Sequence, residues 1–166
     1  MHHTVWGLVL LSSMTKERCL YFKRIMARSK AKVWKFPTGV VNEGEDICMA
    51  AIREVKEETG IDTEFVEILA FRQSHKSFFK KSDLFFVCML RPLSFDIQKQ
   101  DTEIEAAQWM SINEYAAQPF IQKYDGFRSV ANVCLAKLEK DYAGFPGFRQ
   151  PQLLGKLVTY TSTAEI

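Results

Sequence analysis

Residues 39–61 of this 166-residue chain read GVVNEGEDICMAAIREVKEETGI. The pattern predicts a helix from Glu45 to Thr59, with acidic residues in its first turn, where the helix dipole favours negative charge. Gly60 follows the last turn, which is the usual position of a left-handed C-cap. We therefore expect a capped helix that is preceded by a loop beginning at Gly39.

Three glutamates of this predicted helix share one face. At about 100° per residue, Glu54, Glu57 and Glu58 fall within an arc of roughly 100°. A separate arc carries the residues suited to a buried face, which are Cys48, Ile52, Val55 and Thr59. One side of the helix is thus predicted to pack on a core while the other side presents three carboxylates.

Clustered carboxylates repel one another unless cations neutralise them. Their oxygen atoms suit hard divalent ions, and Mg²⁺ shares its coordination shell with substrate phosphates and water. One hypothesis is therefore a magnesium site that handles phosphate. The alternative is a solvated acidic face with surface ion pairs, and the spacing of the surrounding residues favours the magnesium site.

That spacing resembles the Nudix box: Gly, five residues, Glu, seven residues, Arg-Glu, an apolar residue, any residue, Glu-Glu, any residue, Gly and an apolar residue. The specified positions are all filled here, by Gly39, Glu45, Arg53, Glu54, Val55, Glu57, Glu58, Gly60 and Ile61. The resemblance implies a Nudix hydrolase, which cleaves nucleoside diphosphates linked to another moiety. It also implies an α/β fold, an α/β/α sandwich with a mixed sheet.

A closer resemblance extends from Val33 to Tyr142. Four segments are similar to the plant Nudix hydrolases that act on ADP-ribose and NADH, namely residues 33–46, 65–76, 83–86 and 104–110. The resemblance implies ADP-ribose, NADH or both as substrates and AMP as a product. Two departures from those proteins are expected: this chain lacks their extra N-terminal domain, and residues 1–32 match them poorly.

The resemblance also implies roles for residues of the box. The expected ligands of Mg²⁺, or of Mn²⁺ in its place, are the Gly39 carbonyl and the carboxylates of Glu54, Glu57 and Glu58. Arg53 is expected to orient a carboxylate, and Glu45 to cap the helix, form a salt bridge or bind metal. The general base stays open among Glu54, Glu103 and Glu105, the last two preceding the strand that contains Trp109.

Substrate contacts are expected outside the box. Arg72 is the candidate for phosphate, because its guanidinium is a fixed fork of donors. The candidates for stacking on adenine are His75, Trp6, Phe78 and Phe79. For each of these the alternative is ordinary packing or a surface position without a role in binding.

Composition limits the remaining possibilities. A hydrophobic fraction of 47% and 13 Phe indicate a globular chain, predicted as one domain over residues 1–145 with an irregular tail over residues 146–166. The net charge of +2 argues against nucleic acid as a partner, and no apolar run is long enough for a membrane span. Four scattered Cys without CxxC, and a start without a signal-peptide pattern, predict a cytoplasmic protein with reduced thiols. A homodimer is also considered.

Two alternatives to an ADP-ribose or NADH hydrolase stay open. One is a Nudix hydrolase for another substrate, such as a nucleoside triphosphate or CoA. The other is a non-enzymatic nucleotide-binding regulatory module on the same fold. The complete box argues against the second alternative, because a binding module could lose its carboxylates without penalty.

Hydrophobic patterning predicts the other elements. Strands are expected at residues 5–11, 19–23, 33–36, 65–71, 84–90 and 107–110, with a possible edge strand at 158–161. A polar loop is expected at residues 72–76. A capping box at Ser111 and Glu114 predicts a short helix, and an apolar stripe predicts another helix over residues 127–140.

Overall fold

The computed structural model of the protein describes residues 4–13, 18–24, 33–78, 81–140, 142–149 and 158–160. The strands in these ranges are β1 (Thr4–Ser13), β2 (Arg18–Arg24), β3 (Thr38–Val40), β4 (Thr63–Phe78), β5 (Lys81–Pro92), β6 (Ile104–Ser111), β7 (Phe145–Arg149) and β8 (Val158–Tyr160). The helices are α1 (Ile47–Thr59), α2 (Ile112–Ala116), α3 (Pro119–Lys123) and α4 (Asp125–Glu139). Within the same ranges, no helix combines the length and apolar character needed to cross a bilayer.

The strands form a mixed sheet in the order β6-β2-β1-β5-β4-β7-β8, and β3 pairs with β1. Strands β1 and β5 run parallel, whereas the other described pairs are antiparallel. Strand β5 lies inside the sheet, and its residues from Val87 to Leu90 are all buried. This agrees with the continuous apolar run that predicted a strand covered on both faces.

Side chains alternate along β5 between two packed layers. Val87 and Met89 pack with residues of α2, α3 and α4, whereas Cys88 and Leu90 pack with residues of α1. The sheet therefore separates α1 on one face from α2, α3 and α4 on the other. The predicted α/β/α sandwich with a mixed sheet is confirmed.

The strand before the box lies later in the chain than predicted. The expected strand at residues 33–36 is reduced to a single bridge residue, Lys35, and β3 instead follows Pro37 and contains Gly39. The side-chain amide of Gln118 replaces a strand partner at Trp34, accepting from its N–H at 2.9 Å and donating to its carbonyl at 3.2 Å. A side chain 84 residues away thus takes the hydrogen bonds on which a strand would depend.

Helix α1 begins two residues later than predicted. Asp46 is its N-cap residue and Glu45 precedes it, so the expected acidic first turn is wrong. The end of the helix is as predicted, because Gly60 adopts a left-handed conformation with φ of 73° and donates its N–H to the carbonyl of Lys56.

Three further differences concern segments without a clear pattern. The expected polar loop at residues 72–76 is a continuation of β4, paired along β5 as far as Phe78. Helix α3 was not predicted, and it has a proline in its first turn. Strands β7 and β8 lie in or next to the segment expected to be an irregular tail, and β7 pairs with β4. The division into a domain of residues 1–145 and a tail stays a prediction.

Candidate active site

Arg53 is the centre of the hydrogen-bond network at the start of α1. Its guanidinium holds Glu45 through two parallel bonds, from Nε at 2.8 Å and from Nη2 at 2.9 Å. Its Nη1 donates to Glu54 at 2.9 Å and to Glu57 at 3.3 Å, and its Nη2 also donates to the Val40 carbonyl at 2.9 Å. One side chain therefore joins the loop before the helix, strand β3 and two of the box carboxylates.

The contact between Arg53 and Glu45 favours the charged form of both side chains. Hydrogen bonds from Arg53 lower the pKa of Glu45, outweighing the opposite effect of its partial burial. The same contact with Glu45, reinforced by Glu54, raises the pKa of Arg53 further above neutrality. Among the roles weighed for Glu45, the structure shows the salt bridge. The side chain of Glu45 also accepts the N–H of Asn42 at 3.0 Å.

The Glu54 carboxylate lies directly against Gly39 of β3. A Cβ added at Gly39 would overlap the carboxyl group of Glu54, so only glycine leaves room for it. The next residue, Val40, donates its N–H to Oε1 of Glu54 at 3.1 Å. The glycine at the start of the box and the first glutamate of its triad are thus packed against each other.

The three glutamates differ in exposure. The side chain of Glu57 is 58% exposed and that of Glu54 is 17% exposed, whereas Glu58 as a residue is only 4% exposed. The prediction of a separate carboxylate face is therefore wrong in part, because Glu58 shares the buried side of α1 with Val55. The reason is tertiary: Gln100 donates its N–H to the Glu58 carbonyl at 3.1 Å and brings a distant segment over the end of the helix.

The atoms that the Nudix box offers as metal ligands are of the type that a divalent ion prefers. All are oxygen atoms, the ligand type that Mg²⁺ prefers. Within the part of the chain that the structure describes, no three His, Cys, Asp or Glu side chains are gathered around one point. Glu57 has room to move, because its side chain is mostly exposed and its contact with Arg53 is long. By the chemistry of its ligand atoms, the set fits a hard ion.

The other general-base candidates lie beyond the segment that covers α1. Glu103 is exposed in a turn, and Glu105 is exposed near the start of β6. Ile104, which lies between them, donates its N–H to the carbonyl of Gln100, the residue that is bonded to Glu58. Both glutamates therefore follow closely after a chain segment that touches the box helix, and their roles stay predictions.

Arg72 is not brought together with the box carboxylates. Its guanidinium lies 5.2 Å from the centre of the Phe85 ring and close enough to α4 that a Cβ at Gly126 would overlap it. Phe85 packs on the face covered by α4, whereas Glu54 belongs to α1 on the opposite face. The structure therefore gives no support to the assignment of Arg72 to substrate phosphate.

The candidates for adenine stacking are placed only by their backbones. Trp6 lies in β1, and His75 and Phe78 lie in β4, where His75 is paired with Ser82. Phe79 lies outside the described residues. The roles of all these residues stay predictions.

Comparison with protein families identifies the box as part of a known domain. The family model for the NUDIX domain matches residues 1–129. The chain belongs to the NUDIX family. Nudix hydrolase 10 of Arabidopsis thaliana is 68% identical to it over 113 residues, which are 68% of this chain and 41% of that protein.

Other relatives match more of this NUDIX chain or come from more distant organisms. Nudix hydrolase 6 of Arabidopsis thaliana is 48% identical over 167 residues, covering 99% of this chain and 56% of the relative. A human protein named nucleoside diphosphate-linked moiety X motif 6 is 43% identical over 95 residues, covering 55% of this chain and 30% of that protein. The chain spans about half the length of the Arabidopsis relatives it matches, or less.

Solved structures show the same fold. A NUDIX hydrolase from Nitrosomonas europaea superposes with a TM-score of 0.67 at 24% identity, over 82% of this chain and 90% of that one. The MutT protein of Methanosarcina mazei gives a TM-score of 0.65 at 21% identity, over 83% and 96% of the two chains. The sequence prediction of a Nudix protein with plant relatives is confirmed, whereas its ADP-ribose and NADH branch stays a prediction.

One exposed aromatic residue on the α1 face of this NUDIX domain was not among the sequence candidates. The ring of Phe71 contacts those of Phe86 and Phe145, with centroids 6.1 and 6.2 Å apart. Successive side chains of a strand point to opposite faces of the sheet, so a strand that includes residue 72 places Phe71 and Arg72 on different faces. The sequence prediction ended the strand at residue 71 and therefore did not separate these two residues.

Proposed function

We propose that this chain carries out metal-dependent hydrolysis of the pyrophosphate bond in nucleoside diphosphates linked to another moiety, with ADP-ribose and NADH as substrates. The observation that carries the proposal is the packed unit of Gly39, Arg53 and Glu54 within a complete Nudix box. A solvated acidic face would not require a glycine cradle for one of its carboxylates.

Pyrophosphate hydrolysis is mainly a problem of charge, because water must approach a phosphorus atom surrounded by anionic oxygens. When bound, a divalent ion supplies positive charge to the diphosphate and acidifies water. Glu54, Glu57 and Glu58, with the Gly39 carbonyl, are the residues that would hold it. We assign Mg²⁺ as the ion, with Mn²⁺ as a substitute.

Arg53 has a positioning role in this proposal. Its bond to Oε1 of Glu54, together with the Val40 N–H, holds one carboxylate oxygen and leaves the group in a defined orientation. The hydrogen bonds of Arg53 also lower the pKa of Glu45. An oriented Glu54 is suited either to metal binding or to accepting a proton from water, with Glu103 and Glu105 as the other general-base candidates.

The substrate assignment rests on similarity. Residues 71–76 resemble the corresponding segment of plant Nudix hydrolases for ADP-ribose and NADH, and Arabidopsis Nudix hydrolases are among the most similar relatives. The name of the human relative refers to a nucleoside diphosphate-linked moiety. Both proposed substrates contain an adenosine diphosphate half, so one set of contacts can serve both.

Product analysis by chromatography tests this assignment. The purified chain is incubated with Mg²⁺ and equal concentrations of ADP-ribose, NADH, a nucleoside triphosphate or CoA. We expect AMP and ribose 5-phosphate from ADP-ribose, and AMP and reduced nicotinamide mononucleotide from NADH. The variant Glu58→Gln, which keeps the size of the side chain but removes its charge, is expected to lower turnover by orders of magnitude.

Each of the other outcomes contradicts a defined part of the proposal. Faster turnover of the triphosphate or of CoA would show that the substrate branch is wrong while the hydrolase stands. Nucleotide binding without turnover of any substrate would instead favour the regulatory module. Normal turnover in Glu58→Gln would remove that residue from the site.

A further inference from the structure

A row of paired residues connects Glu54 with Phe71 across four strands. Phe71 of β4 pairs with Phe86 of β5, Phe86 pairs with Gly7 of β1, and Gly7 pairs with Gly39 of β3. Residues paired across neighbouring strands point to the same face of a sheet. Since Glu54 of α1 lies over Gly39, this row belongs to the face that α1 covers.

The row has an aromatic half and a glycine half. Phe86 lies next to Phe71 and packs, partly buried, with the residues of α1, whereas Gly7 and Gly39 have no side chains and the carboxylate of Glu54 occupies the space over Gly39. Neighbouring strands lie about 4.8 Å apart, so three steps place Phe71 about 14 Å from Gly39 along the sheet. A nucleoside diphosphate in an extended conformation covers a comparable span between its phosphates and its base.

Phe71 is the aromatic residue at the far end of the row. It is 60% exposed, although its ring is also held against Phe86 and Phe145 at centroid distances of 6.1 and 6.2 Å. The ring planes in these two contacts are tilted by 35° and 58°, so neither neighbour stacks parallel to the Phe71 ring. Phe71 therefore presents a supported aromatic surface to solvent on the same face as the box carboxylate.

A single exposed phenylalanine is ordinary in a folded protein. The position of Phe71 is informative because it shares a row with the glycine that cradles Glu54. By contrast, Phe95 is a similarly exposed aromatic residue that follows the other end of β5, where it meets Trp109 edge-on. Phe95 is not part of this row and serves as a matched control.

From this placement we propose that Phe71 is the stacking platform for the adenine of the substrate, whose diphosphate lies beside the carboxylate of Glu54. The inference rests on the proposed function and adds a specificity-determining residue to it. A base stacks on an aromatic ring through its π-face. Phe71 thus selects substrates that carry a base at the correct distance from the scissile link, and it discriminates poorly between different bases.

The test compares Phe71→Leu, Phe71→Trp and Phe95→Leu. Leucine keeps an apolar side chain but removes the ring, whereas tryptophan keeps an aromatic face. Calorimetry measures binding of AMP, which contains the base, and of ribose 5-phosphate, which does not; neither requires turnover. Steady-state kinetics with ADP-ribose then separates kcat from KM.

Phe71→Leu is expected to weaken AMP binding and raise KM about tenfold, the scale of one stacked base, with kcat nearly unchanged. Binding of ribose 5-phosphate is expected to stay as in the unmodified chain. Phe71→Trp is expected to retain AMP binding, and Phe95→Leu to change neither constant.

Unchanged AMP binding in Phe71→Leu, or an equal loss in Phe95→Leu, would overturn the inference. Phe71-dependent binding of AMP in a chain that hydrolyses none of the substrates would support the platform while refuting the proposed function. Hydrolysis of ADP-ribose with the same KM in Phe71→Leu as in the unmodified chain would support the proposed function while refuting the stacking platform.

Discussion

At the scale of single residues, the space beside Gly39 is as important as the charge of Glu54. The carboxylate fills the position that a side chain on Gly39 would occupy, and the Val40 N–H holds it there. Arg53 donates to the same oxygen of that carboxylate and also binds the Val40 carbonyl. The orientation of Glu54 is therefore determined by a glycine, a backbone amide and a guanidinium acting together.

We predict that Gly39→Ala inactivates the site by displacing Glu54. The added methyl group overlaps the carboxylate, which must leave the Val40 N–H and change its contact with Arg53. A displacement of about 1 Å at a reacting group can lower a rate about 100-fold. We expect a loss of at least that size in kcat/KM, together with a destabilisation of about 1–3 kcal/mol from overpacking.

Gly44→Ala is the matched control for this substitution. Gly44 lies between β3 and α1 and has a φ of 74°, but a Cβ there would meet nothing within 4 Å. We expect it to cost about 1–2 kcal/mol of stability, from backbone strain, while turnover stays close to that of the unmodified chain. Urea unfolding and initial rates measure both effects. Equal turnover in the two alanine variants would show that the cradle at Gly39 has no role.

At the scale of elements, a largely buried ion pair joins the last strands to the rest of the fold. Glu67 of β4 accepts a bond from Lys137 of α4 at 2.6 Å, and its other oxygen accepts the Gly144 N–H at 2.7 Å. Lys137 also donates to the carbonyl of Tyr142 at 2.9 Å, and the Tyr142 hydroxyl donates to Leu69 at 2.9 Å. These bonds connect α4, β4 and the segment leading into β7.

Lys137→Met is predicted to destabilise the fold by about 3–5 kcal/mol, because it leaves the charge of Glu67 buried without its cation. The double variant Glu67→Gln with Lys137→Met is predicted to recover part of this loss, since glutamine can still accept the Gly144 N–H. The free energy of unfolding, measured in urea, reports both values.

Lys140→Met provides the comparison for a lysine on the same helix. Lys140 is exposed at the end of α4, so we expect its replacement to change stability by no more than about 0.5 kcal/mol. If Lys137→Met cost no more than Lys140→Met, the ion pair would have no net part in holding β7 to the sheet.

At the scale of the whole molecule, metal binding should be visible as stability. An ion that binds only the folded chain stabilises it by about 2.7 kcal/mol when its concentration is 100 times the Kd. For a chain of this size that corresponds to a rise in Tm of about 5–10 °C. We predict such a rise on addition of Mg²⁺ and its reversal by EDTA, measured by thermal unfolding without any substrate.

The position of the bound ion can be tested with two variants that each remove the charge of one glutamate. Glu57→Gln is predicted to remove most of the Mg²⁺-induced rise, because Glu57 is the box carboxylate with the most freedom to turn. Glu139→Gln removes an exposed charge at the end of α4 and should keep the full rise. A full rise in Glu57→Gln would mean that the ion binds elsewhere.

Local pattern was sufficient for much of this protein. The run from Leu84 to Leu90 identified the buried strand, the Ser111 capping box identified α2, and Gly60 marked the end of α1. The spacing of the box identified the family before any contact was known. These features depend on periodicity and on residues close in sequence, so the sequence by itself determines them.

Contacts between distant segments decided the rest. The Gln118 side chain bonds the Trp34 backbone within the predicted strand, and the Gln100 segment bonds the backbone of the buried Glu58. The pairing register of β4 with β5 extends the strand through Arg72, which places Arg72 and Phe71 on opposite faces. Only the tertiary structure could decide these points, because strand register and burial depend on partners that no local pattern names.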